Sequence, residues 1–271
     1  MPNFICNTCG TQHAETPAPP VRCDICEDER QYVGWGGQEW STLDRLRAGH
    51  MNQIRDEEPR LTGIGTTPRF AIGQRALLVR SLGGNVLWDC TSLIDEATVE
   101  AVRAVGGLAA IAISHPHYYS AMVEWSRAFG GVPIHLHAAD RRWVMRPDPA
   151  IEFWEGDTRT LHDGLMLIRC GGHFEGGTVL HWPCGADGKG VLLTGDILQV
   201  AMDRRHVGFM YSYPNYIPLP APEIHRITSA IEPFAFDRIY GFMFDLAIWG
   251  DAKAAVRRSS DRYLRAIGAG A

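Results

Sequence analysis

Apolar positions fall into short runs separated by turn residues, and the runs switch between two periods. Segments 70–72, 76–79, 85–89, 108–113, 132–137, 151–153, 165–170, 178–182, 191–194 and 238–241 are short and apolar or alternating, the pattern of buried or half-buried strands. Segments 95–105, 120–129, 221–231 and 251–267 repeat their apolar residues at helical spacing, with Asp95 placed to cap the first of them. Residues 40–48 also read as helical, with Ser41 and Asp44 spaced as a cap pair. The stretch 62–68 is rich in Gly, Thr and Pro and reads as irregular, and 34–37 (Gly-Trp-Gly-Gly) as a loop. Strands and helices mixed in this order predict an α/β fold of two sheets flanked by helices. No internal repeat is visible.

Composition narrows the classes. The 271 residues are 45% hydrophobic, enough for a substantial core and too much for disorder. A net charge of −5 argues against a nucleic-acid partner, which wants a basic face. No run of 18 apolar residues is present, so no membrane span is expected. The first residues lack the basic-then-apolar signature of a secretory leader. Seven cysteines, four of them in CxxC pairs, suit a reducing cytoplasm and a metal better than disulfides.

The chemistry gathers at three strand ends. The run 108–113 stops at Ser114-His115-Pro116-His117-Tyr118-Tyr119, just before a helix. Run 165–170 is followed by Gly171-Gly172-His173-Phe174-Glu175-Gly176-Gly177, and run 191–194 by Gly195-Asp196. Imidazole is the commonest side-chain ligand for zinc and its neighbours, and glycine lets the backbone come close to a site. His115, His117, His173 and Asp196 are therefore a candidate ligand set for one divalent cation: zinc, with iron or manganese also suited to these donors.

This order of motifs resembles the metallo-β-lactamase superfamily, whose pattern is His-x-His-x-Asp-His, then Gly-His, then Gly-Asp, then a late His. The likeness covers about residues 65 to 245 and implies an αββα sandwich of two mixed sheets, at 38–271, behind a small N-terminal module at 1–37. It also implies that Asp89, ending Val86-Leu87-Trp88-Asp89, is a structural anchor. The departures are specific. Where the family's first motif continues with Asp and His, this chain has Tyr119 and Ser120; after strand 238–241, where the late His belongs, it has Phe242. Those are the donors the family uses for a second metal, so one metal is expected.

A cation on three imidazoles and a carboxylate keeps room for a water and lowers its pKa to roughly 7. That predicts a hydrolase acting on an ester, thioester, lactone or amide of a small molecule, with Asp196 orienting the water and Tyr118 or Tyr119 hydrogen-bonding a developing oxyanion. The other reading is a catalytically silent member that binds a ligand or partner. Asp203-Arg204-Arg205-His206 and Phe209-Met210-Tyr211-Ser212-Tyr213 follow the Asp196 strand, in the region that overhangs the metal in the family. Arg204, Arg205, His206, Tyr211 and Tyr213 are the expected substrate contacts. His135, His137 and His181 lie within strands and read as packing or surface residues; Glu175, beside His173, is a weaker candidate base.

The N-terminal module has its own chemistry. Cys6-Asn7-Thr8-Cys9 and Cys23-Asp24-Ile25-Cys26 each turn two thiolates toward one point, and together they predict a tetrahedral S4 zinc site. A segment this small buries too little apolar surface to fold alone, so the metal should hold it. The pattern also resembles rubredoxin-type knuckles, which some flavodiiron proteins couple to this fold. The acidic residues a diiron site needs are missing at Tyr119, and no flavin domain follows.

Overall fold

The computed structural model describes residues 1–270. Two mixed sheets form its centre. The first has seven strands in the order Ile151–Trp154, Ile134–His137, Ala110–Ala112, Val86–Trp88, Arg75–Val79, Leu61–Thr67, Met51–Glu58. The first four of these run parallel to one another and the rest pair antiparallel. The second sheet has six, in the order Thr158–Thr160, Met166–Arg169, Thr178–Trp182, Val191–Gly195, Arg238–Gly241, Ala247–Ile248.

The period-two alternation of the strands builds the layers. Leu77, Val79, Val86, Trp88, Ala110 and Ala112 of the first sheet share one buried cluster with Leu165, Leu167, Leu180, Trp182, Val191 and Leu193 of the second, so the core lies between the sheets. The alternate residues Leu78, Leu87, Ile111, Ile134 and Leu136 face the other way, against Met122, Val123 and Trp125 of helix Met122–Ala128. Ile168, Val179, Leu192 and Ile239 face Ile224, Ile227 and Ile231 of helix Ala221–Ile231 and Val256 and Leu264 of helix Ala252–Ala266. The result is a helix–sheet–sheet–helix sandwich, as expected. Asp95 caps helix Glu96–Ala104, its Oδ1 accepting from the Thr98 amide at 2.8 Å.

Three local expectations fail. Residues 62–68 are not irregular, because strand Leu61–Thr67 pairs on both sides. Its glycines serve packing: a Cβ at Gly63 or Gly65 would lie 2.7 or 2.5 Å from the Phe244 ring. Residues 70–72 are a loop rather than a strand, turned by the left-handed Ala71 and Gly73. The early helix runs Leu43–Gly49 and is capped by Thr42, not Ser41. Trp40–Ser41 is instead a strand beside Asn3–Cys6, which pairs on its other side with Gln12–Glu15.

Beneath the site, Arg75 and Glu57 form an ion pair at 2.7 Å with side chains only 1% and 3% exposed. Arg75 also donates to the Gly241 carbonyl through Nε and Nη2 at 3.3 and 3.2 Å, fixing the strand end that leads to Phe242. Glu57→Ala strands a buried guanidinium and is expected to cost about 3–5 kcal/mol, read as a fall in the denaturant midpoint.

Candidate metal centre

His115 and His117 follow strand Ala110–Ala112, and His117 sits in the short 3-10 turn Pro116–Tyr118 that proline starts. His173 stands on the loop after Met166–Arg169, and Asp196 follows Val191–Gly195. Gly195 is left-handed (φ 55°), and a Cβ there would lie 2.7 Å from Ser114 Oγ. Only glycine lets the third strand end close on the first.

The four side chains converge. One donor atom from each of His115, His117, His173 and Asp196 lies within 4.8 Å of every other, and all four residues are buried. His117 Nδ1 is 3.1 Å from His173 Nε2, and His115 Nε2 is 3.2 Å from Asp196 Oδ1. Neither His115 Nε2 nor Asp196 Oδ1 makes a hydrogen bond. Tetrahedral ligands at about 2.0–2.1 Å from zinc sit about 3.3 Å apart, so the spacing fits a cation. Burial holds His115, His117 and His173 below the ordinary imidazole pKa, in the neutral form that ligates, and pushes the Asp196 carboxyl up. A cation would relieve both the unpartnered lone pairs and the buried carboxylate.

The ligand rings are oriented from behind. Asp89 Oδ1 accepts from both the amide and the hydroxyl of Ser114, each at 2.8 Å. With its proton committed to Asp89, Ser114 Oγ accepts from His115 Nδ1 at 2.9 Å, which leaves the His115 Nε2 lone pair facing the centre. His173 Nδ1 donates to the Tyr211 carbonyl at 2.6 Å, with the same effect on its Nε2. Ser114→Ala is therefore expected to weaken metal affinity by roughly 10- to 100-fold without displacing a ligand, measured by competition with a chelator.

The residues matching the family's second-metal donors are not arranged as ligands. Phe242 stacks on Tyr118 with ring centroids 5.9 Å apart, and Tyr118 packs on His115 at 4.4 Å. The Tyr118 hydroxyl is buried beside Asp196; burial, then the nearby Asp196 charge, raises its pKa well above the usual phenol. Tyr119 points elsewhere, into a small cavity with Thr11, Gln12 and Arg146, so the two tyrosines are not interchangeable. Ser120 Oγ accepts from Gln74 Nε2 at 2.7 Å.

His117, His173 and Asp196 open onto a cavity of about 240 Å³ that Tyr213 and Phe242 also line. Tyr213 donates to the Asp196 carbonyl at 2.8 Å. Tyr211 gives its carbonyl to His173 and its hydroxyl to Glu29, at 2.7 Å. Arg204, Arg205 and His206 do not line the cavity. They form the turn between Gln199–Val200 and Val207–Gly208, where Asp203 accepts from the Arg205 and His206 amides at 2.9 and 3.1 Å. The arginine at the cavity is Arg69, accompanied by Gln31 and Tyr32, none of which a local motif announces, and by Thr8 from inside the first CxxC pair. His137 and His181 bond the Gly156 and Ala235 carbonyls at 3.1 and 2.7 Å, His135 faces Glu152 at 3.4 Å, and Glu175 is exposed.

The four N-terminal cysteines form a second cluster, fully buried, with Cys6 Sγ 3.5 Å from Cys26 Sγ and Cys9 Sγ 3.7 Å from Cys23 Sγ. A tetrahedral zinc with Zn–S of about 2.3 Å places its sulfurs about 3.8 Å apart, so this set also fits. Gln38 Nε2 donates to Cys6 Sγ at 3.2 Å. The cluster is tied to the main site: the Gln12 amide donates to the Ser120 carbonyl at 3.0 Å, and Ser92 Oγ to the Gly10 carbonyl at 2.7 Å.

No family model matches the chain. It is 51% identical over 269 residues to YmaE of Bacillus subtilis (strain 168), itself described as uncharacterized, and the match spans 98% of this chain and 97% of that one. Among solved structures, the DIM-1 metallo-β-lactamase superposes with a TM-score of 0.60 at 16% identity over 79% of this chain and 98% of that chain. VMB-1 gives 0.58 at 14% over 80% and 98%. A Cronobacter sakazakii metallo-β-lactamase with an HARLDQ motif gives 0.54 at 16% over 80% and 93%. Identities this low carry the fold alone. The chain belongs to the same family as YmaE, and it is built on the metallo-β-lactamase fold with a four-cysteine cluster at its N-terminus.

Proposed function

We propose that this protein is a metal-dependent hydrolase holding one divalent cation, zinc in the first instance, on His115, His117, His173 and Asp196, and cleaving an ester, thioester, lactone or amide of a small molecule. The observation that carries this reading is that three of the four ligand residues border a cavity of about 240 Å³, so the cation is reachable from it. Bound there, the cation would polarise a carbonyl oxygen and bring the pKa of a water near roughly 7. Asp196 would hold the cation through one carboxylate oxygen and could orient the water through the other. The Tyr118 hydroxyl, buried beside Asp196, is the donor assigned to the oxygen on which charge develops. Tyr213 holds the Asp196 backbone, and Arg69 at the mouth suits a substrate with an anionic end.

The reading includes one metal at this site and not two. The Tyr118–Phe242 stack puts a phenol and a phenyl ring beside Asp196 where further donors would be needed. A second zinc, structural and without redox function, is assigned to Cys6, Cys9, Cys23 and Cys26. Protein purified from its native host should show no visible iron–thiolate absorption; its appearance would overturn the zinc assignment.

The same missing donors favour a second reading, a catalytically silent binding protein. Assaying the zinc-loaded chain against a panel of esters, thioesters, lactones and amides decides between them. Turnover above the metal-free protein supports the hydrolase, and none across the panel leaves the binding reading.

A further inference from the structure

The four-cysteine module does more than pack on the sandwich. The segment following its second knuckle runs along the edge of the His/Asp cavity and is pinned at almost every residue. Asp28 grips Arg30 with Oδ1 on Nε at 2.6 Å and Oδ2 on Nη2 at 2.8 Å. The Arg30 guanidinium lies 4.0 Å over the Phe174 ring, and Phe174 packs on His117 with centroids 4.9 Å apart. The Arg30 carbonyl accepts from Ser212 Oγ at 3.1 Å, and Asn215 Nδ2 donates to the Glu29 and Gln31 carbonyls at 2.8 and 2.9 Å.

All of this fixes the main chain of Gln31 and leaves its side chain uncommitted. Gln31 is 6% exposed and borders the cavity with His117, His173 and Asp196, yet its buried Oε1 has no hydrogen-bond partner among the described residues. A buried amide oxygen left unpaired loses its hydration without compensation, and native structures rarely keep one without a reason. Thr8, from inside the first knuckle, borders the same cavity.

We infer that the sulfur-bound module is the substrate-reading wall of the nitrogen/oxygen site, and that Gln31 Oε1 accepts a hydrogen bond from an N–H group of the substrate, away from the bond that is cleaved. This rests on the hydrolase reading for its reaction but not for its binding. The substrate class is then a small acyl compound carrying an amide N–H. A site built around an acceptor discriminates against the analogue lacking the donor, because the acceptor is left buried and unpaired. A metal on the four cysteines would stiffen this wall, since Gln31 lies five residues beyond Cys26.

The test uses the zinc-loaded full chain and two isosteric acids, N-acetylglycine and 4-oxopentanoate, which differ by N–H against CH2. Calorimetric titration should give about ten-fold tighter binding of N-acetylglycine. In Gln31→Met, which keeps the side-chain length, the preference should collapse to about one, with 4-oxopentanoate binding within about two-fold of wild type. The ratio is internal to each protein, so partial unfolding of the variant cancels. Equal binding of the two acids by wild type, binding of neither, or a preference that survives Gln31→Met overturns the inference. The methyl esters of the same acids separate it from the hydrolase reading. If nothing in the wider panel, these esters included, is turned over while the Gln31-dependent preference persists, the hydrolase reading fails and the recognition wall stands. If both are turned over without preference, the reverse holds.

Discussion

Replacing His115 or His173 with alanine should leave the sandwich folded and reduce hydrolysis to the level of metal-free protein. Both imidazoles reach the same point from different strand ends, and neither belongs to the inter-sheet core. Each is held in its ligating tautomer by a separate partner, Ser114 for His115 and the Tyr211 carbonyl for His173. Removing such an outer partner typically costs 10- to 100-fold in metal affinity, so removing the ligand itself should exceed roughly 100-fold. Far-ultraviolet dichroism and the melting temperature check the fold; metal content and turnover on the best ester of the panel check the site. If either variant kept both metal and turnover, this cluster would not be the catalytic centre.

Changing Cys6 and Cys9 together to serine should have the largest effect on stability. Structural zinc in small modules is worth about 10–16 kcal/mol of apparent binding free energy. Here that energy is coupled to the rest of the chain, because Cys6, Cys9, Cys23 and Cys26 share a buried cluster with Tyr118, Trp143 and Phe174. Metal content should fall from two per chain to one, the remaining ion on nitrogen and oxygen. Melting should drop by well over ten degrees, and substrate KM should rise as the Gln31 wall loosens. Two ions per chain remaining in the folded variant would mean that His115, His117, His173 and Asp196 hold a pair, and would sink the single-metal assignment.

The sequence made the sandwich legible because both sheets are buried on two faces, so even three-residue strands such as Val86–Trp88 and Ala110–Ala112 stand out as apolar runs. Strand Leu61–Thr67 was hidden by Gly63 and Gly65, which look like loop residues until Phe244, about 180 positions later, is found lying on them. The four clustered residues of the candidate metal centre were legible because each sits at a strand end beside glycine or in a His-x-His pair. The cavity wall was not. Chain order suggested Arg204, Arg205 and His206, but the turn they occupy is folded away by Asp203. Gln31, Tyr32 and Arg69 come from the other end of the chain and carry no local pattern, and Thr8 lies in a CxxC pair that points to a different site.

That distance has a kinetic consequence. Arg30 meets His173 across 143 positions, Tyr211 meets Glu29 across 182, and Asn215 meets Gln31 across 184. Contacts of such high sequence separation close the largest loops and are entropically the last to form. During synthesis the cysteine knuckles leave the ribosome long before residues 173 and 211–215 exist, and N-terminal units fold first. If the four cysteines hold an ion, they can capture it before residues 173 and 211–215 exist, and the wall of the cavity docks only when the completed sheets return to meet it. In that case zinc scarcity during translation would yield chains with both sheets formed and the recognition wall undocked, a trapped species separable from the native one by its protease-sensitive first forty residues.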